Sequence, residues 1–234
     1  MLKLTNTTAG YGKLQILNGI TFQAKENQIT VILGSNGCGK STTLKVITGL
    51  LKPSGGTVEF NGISTGGKRP QEIVRSGITY VTQNKDVFPS MTVEENLLLG
   101  AYTISDKRTV SRNMTEVFDF LPRLKERMNS PSGLLSGGEQ QMLSIGRGLM
   151  SSPKMLILDE PSAALSPKIS QEIYALIQRL HTEKGISILL VDQNVKLALE
   201  VADYVYVFSE GHVVMSGTAK ELREWELKAF YLGM

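Results

Sequence analysis

The chain has 234 residues, 41% hydrophobic and 20% charged, and its 25 basic and 22 acidic side chains leave a net charge of +3. This is the composition of an ordinary globular protein with a sizeable core. It excludes a disordered chain, contains no run near the roughly 18 apolar residues that a bilayer crossing needs, and is too balanced in charge to argue for a nucleic-acid partner.

The N-terminal stretch MLKLTNTTAGYGKLQIL has neither the unbroken apolar segment nor the small-residue cleavage site of a secretory signal, so the chain is expected to stay in the cytoplasm. The first ~25 residues and GGTVEFNGI are predicted to form short antiparallel strands beside a main sheet. Four apolar runs stop abruptly at polar residues: ITVILGSNG (29–37), ITYVTQN (78–84), MLILDEP (155–161) and ISILLVDQN (186–194). Unbroken apolar runs suit strands buried on both faces of a parallel sheet. Helical patterns lie between them, from Lys40 to Leu51 and after Pro167, where Ser166 can cap and Ile169, Ile173, Leu176, Ile177 and Leu180 share a face. Residues 84–150 interrupt the alternation with helices, one carrying the stripe Val110, Met114, Val117, Phe118 and Leu121 and ended or kinked by Pro122. The expected architecture is an α/β sheet with a helical insertion inside one domain, and its ligands should lie beyond the carboxyl ends of the strands. Capping-box spacing at Thr218 to Glu221 opens a C-terminal helix whose Trp225, Leu227 and Phe230 are expected to pack on the domain.

Three motifs carry chemistry. Gly34-Ser35-Asn36-Gly37-Cys38-Gly39-Lys40-Ser41 fits the P-loop pattern at every fixed position, between a predicted strand and a helix that continues through Thr42. Backbone N–H groups and the positive end of the helix there can surround polyphosphate, with Lys40 neutralising the β- and γ-phosphates and the Ser41 hydroxyl on Mg²⁺. Cys38 is the one cysteine, which excludes an internal disulfide. The favoured reading is that it merely fills a small position; its place in the loop alone suggests the alternative, that alkylation would block nucleotide binding. Asp159-Glu160 would be a charged turn if it stood alone. Following an apolar strand in a chain with a P-loop, it reads as a carboxylate holding Mg²⁺ through water and a second one polarising the attacking water. Leu135-Ser136-Gly137-Gly138-Glu139 has capping-box spacing and exposes backbone through two glycines, which makes a second anion-binding helix start, beyond what one nucleotide needs within one chain.

Together these motifs resemble the ATP-binding subunit of an ATP-binding cassette (ABC) transporter along essentially the whole chain. The resemblance implies a P-loop NTPase (RecA-like) core with a mostly parallel sheet, an N-terminal antiparallel β subdomain and an inserted ABC α-helical subdomain. The core and β subdomain would comprise residues 1–83 and 151–234, and the helical signature subdomain residues 84–150. It implies that Tyr11 stacks on adenine, that Gln83 of the Q-loop touches Mg²⁺ and the attacking water, and that Asp86 to Pro89 meet the membrane subunit. Residues Ser162 to Ser166 match the D-loop, with Ser166 where Asp often stands. Ser136, Gly137, Gly138 and Glu139 would act in trans, on ATP held by a second ATPase subunit, a sibling or a copy of this chain. Gln193 occupies the place of a switch histidine that neither His181 nor His212 can fill. An amide can position the γ-phosphate but cannot take up a proton as imidazole can.

The stretches FPSMTVEENLLLGAY, LSGGEQQMLSIGRGLM, SPKISQEIYALI, LLVDQNVKLALEVADYVYVFSEGHVV and FYLGM resemble the second ATPase subunit of prokaryotic branched-chain (hydrophobic) amino-acid importers. Such a subunit would work at the cytoplasmic face of the membrane with two integral-membrane permease subunits and an extracytoplasmic solute-binding protein. A transporter for another small solute such as urea, or a soluble ABC ATPase acting on DNA or ribosomes, would share the phosphate-handling motifs. The latter commonly carries tandem cassettes or coiled-coil insertions that this chain lacks. A regulator that binds nucleotide without hydrolysing it conflicts with Glu160.

Overall fold

A computed structural model describes residues 1–84 and 86–223. Among the described residues ten strands form two sheets. The first is antiparallel, in the order β2 (Leu14–Ala24), β1 (Leu2–Tyr11), β4 (Gly55–Phe60) and β5 (Ile63–Ser64). The second runs β10 (His212–Thr218), β9 (Tyr204–Ser209), β3 (Ile29–Gly34), β8 (Ser187–Asp192), β7 (Met155–Asp159) and β6 (Ile78–Val81), all parallel except the β9–β10 pair at one edge. The four predicted apolar runs are β3, β6, β7 and β8. Each strand ends at or within two residues of the chemistry-bearing positions.

The unbroken apolar runs have a direct cause in packing. On one face of the parallel sheet Ile32, Ile157, Leu189 and Val191 join Leu44 and Ile47 of α1 (Lys40–Ile47) and the inner residues of the antiparallel sheet, such as Leu4, Leu17 and Val58. On the other face Val31, Leu33, Leu156, Leu158, Ile188 and Leu190 join a second cluster that includes Leu97, Val117, Leu143 and Ile177 from helices. Each such side chain taken fully out of water stabilises the fold by roughly 1.5–3 kcal/mol, and a polar residue at either parity of these strands would lose that.

α1 ends at Ile47, short of the predicted Leu51. The Thr48 hydroxyl bonds back to the Leu44 carbonyl at 2.7 Å, and Gly49 turns the chain left-handed at φ 74°, the usual helix stop. The chain then passes through α2 (Pro70–Ser76) before β6. Between β6 and β7 lie α3 (Val93–Gly100), α4 (Lys107–Phe120), α5 (Pro122–Glu126) and α6 (Gly137–Leu149). Pro122 ends α4 and starts α5, and of the predicted stripe Val117, Phe118 and Leu121 are buried while Val110 and Met114 pack at its margin. α3 approaches α6 so closely that a Cβ on Gly100 would lie 1.9 Å from the Arg147 carbonyl oxygen. α7 (Pro167–Lys184) is capped by Ser166, whose Oγ accepts from the Ile169 N–H at 3.5 Å, and α8 (Val195–Val201) follows β8. The capping box at Thr218 and Glu221 is made, with the Thr218 N–H donating to Glu221 at 2.7 Å. Trp225, Leu227 and Phe230 lie outside the described residues.

Candidate functional site

The carboxyl edge of the parallel sheet gathers the site. β8 lies between β3 and β7, with Leu33 beside Asp192 and Asp159 beside Val191, and β6 flanks β7 with Val81 beside Leu158. The chain leaving each of these strands therefore emerges on one side: the P-loop from β3, Gln83 from β6, Glu160 from β7 and Gln193 from β8. A cleft of about 340 Å³ results, lined by Ile16, Asn36, Gly37, Gly39, Lys40, Ser41, Thr42, Gln83, Glu160 and Gln193.

Glycine is required in the loop for two different reasons. Gly34 has φ 156°, and a Cβ there would sit 2.5 Å from the Phe208 carbonyl oxygen and 2.6 Å from Cys38 Sγ; Gly39, at φ 108°, caps α1 without any side-chain bond to its first turn. The first N–H groups of a helix have no acceptor within it, so an uncapped start leaves them for an anion. Lys40 is buried at the centre of the loop, and its Nζ donates to the carbonyls of Gly34 at 2.7 Å and Ser35 at 3.0 Å. The Cys38 thiol is turned into the core at 3% exposure, and the Cys38 carbonyl accepts from the Gly211 N–H at 3.0 Å. This burial fits the favoured reading of a small space filled and opposes the alternative of alkylation.

Glu160 is the meeting point of the cleft. It has the left-handed φ of 44°, unusual for a side chain with a Cβ, and its N–H donates to the Val191 carbonyl at 2.7 Å. That turn aims its carboxylate between two amides: Gln83 Nε2 donates to Oε2 at 2.9 Å and Gln193 Nε2 to Oε1 at 2.5 Å. Asp159 lies just behind, 5% exposed, accepting from the Tyr80 hydroxyl at 2.9 Å. Burial pushes the Asp159 carboxyl above its usual range, opposed by that hydrogen bond, while burial and the Asp159 charge push the Tyr80 hydroxyl up. Asp159 does not line the cleft, so any contact with a cation there would run through water.

The donor set fits Mg²⁺ in kind. Ser41 offers a hydroxyl, Gln83 an amide oxygen not used in its bond to Glu160, and Asp159 a carboxylate, all hard oxygens. Among the described residues no group of three or more His, Cys, Asp or Glu forms a self-sufficient metal site. Mg²⁺ held by one carboxylate and substrate phosphates needs none. The histidines stand apart: His181, in the last turn of α7, has its Nε2 3.8 Å from Asp203, and His212 is exposed at the start of β10.

Not every residue singled out in the sequence joins this cleft. Tyr11 ends β1 at 45% exposure with Lys45 Nζ of α1 5.4 Å from its ring centre, and it does not line the cleft. Ile16, which the sequence did not single out, lines it from β2. Ser136, Gly137, Gly138 and Glu139 open α6 elsewhere. The Ser136 N–H donates to Glu139 at 2.8 Å, which with the adjacent charges of Arg127 and Arg123 holds that carboxyl below its usual range. A Cβ on Gly138 would meet Ile169 at 2.6 Å, so the helix start is seated directly on α7. Tyr80, Tyr174 and Asp192 are the polar residues that sequence reasoning missed. Each is paired through a contact that no local pattern announces.

Comparison with known proteins agrees with this geometry. The profile of the ABC transporter family matches residues 17–163. The chain is 41% identical to the high-affinity branched-chain amino acid transport ATP-binding protein BraG of Pseudomonas aeruginosa over the full length of both, and 30% identical to BraF of the same organism over 96% of this chain and 94% of BraF. The crystal structure of the ADP conformation of an ATP-binding cassette of an ABC transporter superposes with a TM-score of 0.87 at 30% identity, covering 100% of this chain and 99% of the other. The chain belongs to the ABC transporter family, as a nucleotide-binding cassette that hydrolyses ATP.

Proposed function

We propose that this chain is the motor subunit of an importer for branched-chain amino acids. It would work at the cytoplasmic face of a prokaryotic membrane with a second ATPase subunit, two permease subunits and an extracytoplasmic solute-binding protein. Glu160 held between two amides beside the P-loop is the observation that carries the hydrolytic assignment. The solute is supported by the likeness to BraG, which is greater than that to BraF of the same organism. That difference also favours a sibling, rather than a second copy, as the ATPase partner. Residues 84–150 would be the helical signature subdomain, and the rest the nucleotide-binding core with its β subdomain.

In this reading the P-loop N–H groups from Gly34 to Thr42 cradle the phosphates of ATP and Lys40 neutralises them, while Tyr11 and Ile16 lie toward the base. Glu160 polarises the attacking water, Gln83 helps to place that water, and Gln193 orients the γ-phosphate. Ser41, Gln83 and Asp159 would hold Mg²⁺, which supplies charge neutralisation at the β- and γ-phosphates. Ser136, Gly137, Gly138 and Glu139 would serve the partner's ATP, consistent with their absence from this chain's own cleft. The permease would contact the groove beside Asp86 and Phe88, where Leu50, Leu99 and Tyr102 are exposed and Arg147 joins the two sides by donating to the Asp86 carbonyl at 2.7 Å and lying over the Phe88 ring at 5.6 Å. No helix of the described residues is long and apolar enough to cross a membrane.

Gln193 gives a graded test within the site. Gln193→Ala removes a hydrogen bond to a carboxylate, worth about 1.5–3 kcal/mol, and is expected to slow turnover of the assembled complex roughly ten-fold or more. Gln193→His keeps an N–H donor and should retain much of the activity. Equal rates for Ala and wild type remove Gln193 from the site. For the assembly itself, purification of the native complex from membranes is expected to recover permease subunits and a sibling ATPase with this chain. Recovery on DNA or ribosomes, free of any membrane protein, contradicts the transporter reading.

A further inference from the structure

Asp192 ends β8 at 4% exposure, although Gln193 and Asn194 after it are exposed. Four donors converge on its carboxylate. Oδ1 accepts the N–H groups of Gln193 at 2.7 Å and Asn194 at 2.9 Å, and Oδ2 accepts the hydroxyls of Tyr174 at 2.7 Å and Ser162 at 3.4 Å. These donors belong to three segments: the turn after β8, the loop after Glu160, and α7. A buried carboxylate is costly unless its lone pairs are filled, and here filling them ties the three segments to one group. Ser162 follows Glu160 by two residues, so both partners of the Gln193–Glu160 hydrogen bond are anchored to the same carboxylate. Tyr174, 3% exposed, holds Asp192 from α7, a helix that contributes no residue to the cleft lining.

We propose that Asp192 is a positioning residue, locked by the Tyr174 hydroxyl, that sets Gln193 against Glu160 and thereby makes the rate of hydrolysis depend on a contact buried behind the cleft. Neither Asp192 nor Tyr174 lines the nucleotide cleft, so their influence on the reaction passes through Gln193. This rests on the reading of Glu160 as the group that activates water. The competing account is that the four bonds merely satisfy a buried acid and contribute stability alone.

The two accounts separate in the assembled transporter complex. ATP turnover, the KM for ATP and thermal stability are measured for Tyr174→Phe, Gln193→Ala and the double variant, with Ser162→Ala, at the longer bond, as a milder second probe. Positioning predicts that Tyr174→Phe lowers kcat roughly ten-fold with KM for ATP within about two-fold. It also predicts that the double variant is no slower than Gln193→Ala alone, and that Ser162→Ala lowers kcat less than Tyr174→Phe does. Wild-type kcat in Tyr174→Phe, or losses that multiply in the double variant, overturn it. If Tyr174→Phe unfolds the complex, Ser162→Ala combined with Gln193→Ala decides by the same comparison. Glu160→Gln, run alongside, distinguishes the failures: wild-type hydrolysis in that variant sinks the reading of Glu160 itself, whereas its loss beside an unaffected Tyr174→Phe sinks only the positioning role.

Discussion

Replacing Glu160 by Gln lowers steady-state ATP hydrolysis by roughly 10²- to 10⁴-fold, the range that a positioned general base contributes, and leaves ATP bound. The expectation follows from how the side chain is held. The left-handed turn at Glu160 and its N–H bond to Val191 belong to the backbone and survive the change. The carboxylate oxygens each accept one amide N–H, from Gln83 and from Gln193. A glutamine can accept only one of those bonds and turns its own NH₂ toward the other donor, so it loses both the base and half of the clamp. The cradle of Gly37, Gly39 and Lys40 is untouched, and nucleotide binding persists. Phosphate release and retention of labelled ATP, measured on one preparation, check both halves. Loss of binding together with hydrolysis would move Glu160 from the reaction to the binding surface.

Lys40→Ala acts on the other half of the chemistry and is expected to weaken ATP binding about 10²-fold or more, equivalent to roughly 3 kcal/mol for a charge-assisted contact removed from a partly buried site. Lys40 is 4% exposed, and among the described residues its ammonium hydrogen-bonds the loop's own carbonyls of Gly34 and Ser35 and no others. Titration of the folded variant with a fluorescent ATP analogue is the check. Affinity within a few-fold of wild type, in a variant whose thermal unfolding is unchanged, contradicts the placement of polyphosphate at this loop.

Most of the site was legible in the sequence because its residues follow strands in fixed local patterns. The P-loop, Asp159-Glu160 and Gln193 could each be placed by the apolar run before them, and the parallel register then brings their loops to one edge. What could not be read depends on pairing between distant segments. Tyr80 donates to Asp159 from β6, and Tyr174 to Asp192 from α7, and neither tyrosine stands in a motif. Asp192 looked like one more polar residue at a strand exit, yet it is buried and accepts four hydrogen bonds. The strands β9 and β10 carry no motif at their ends, and their membership of the main sheet shows only in the pairing: β9 (YVYVFS) buries Val205 and Phe208 and leaves Tyr204, Tyr206 and Val207 half-buried beside the edge strand β10. The Cys38 thiol, likewise, is buried in a cluster that includes Phe208 of the distant strand β9, a contact no loop pattern announces.

The central claim couples this chain's hydrolysis to solute movement, and uptake of labelled leucine, isoleucine or valine into proteoliposomes tests it most directly. The vesicles carry the complete complex, solute-binding protein is added at the side where uptake begins, and Mg-ATP is supplied at the side of this chain. Accumulation that requires ATP, and that disappears when this chain alone carries Glu160→Gln, is the predicted result. Accumulation at the wild-type rate with the Glu160→Gln chain, or rapid ATP turnover with no solute moved, would contradict it.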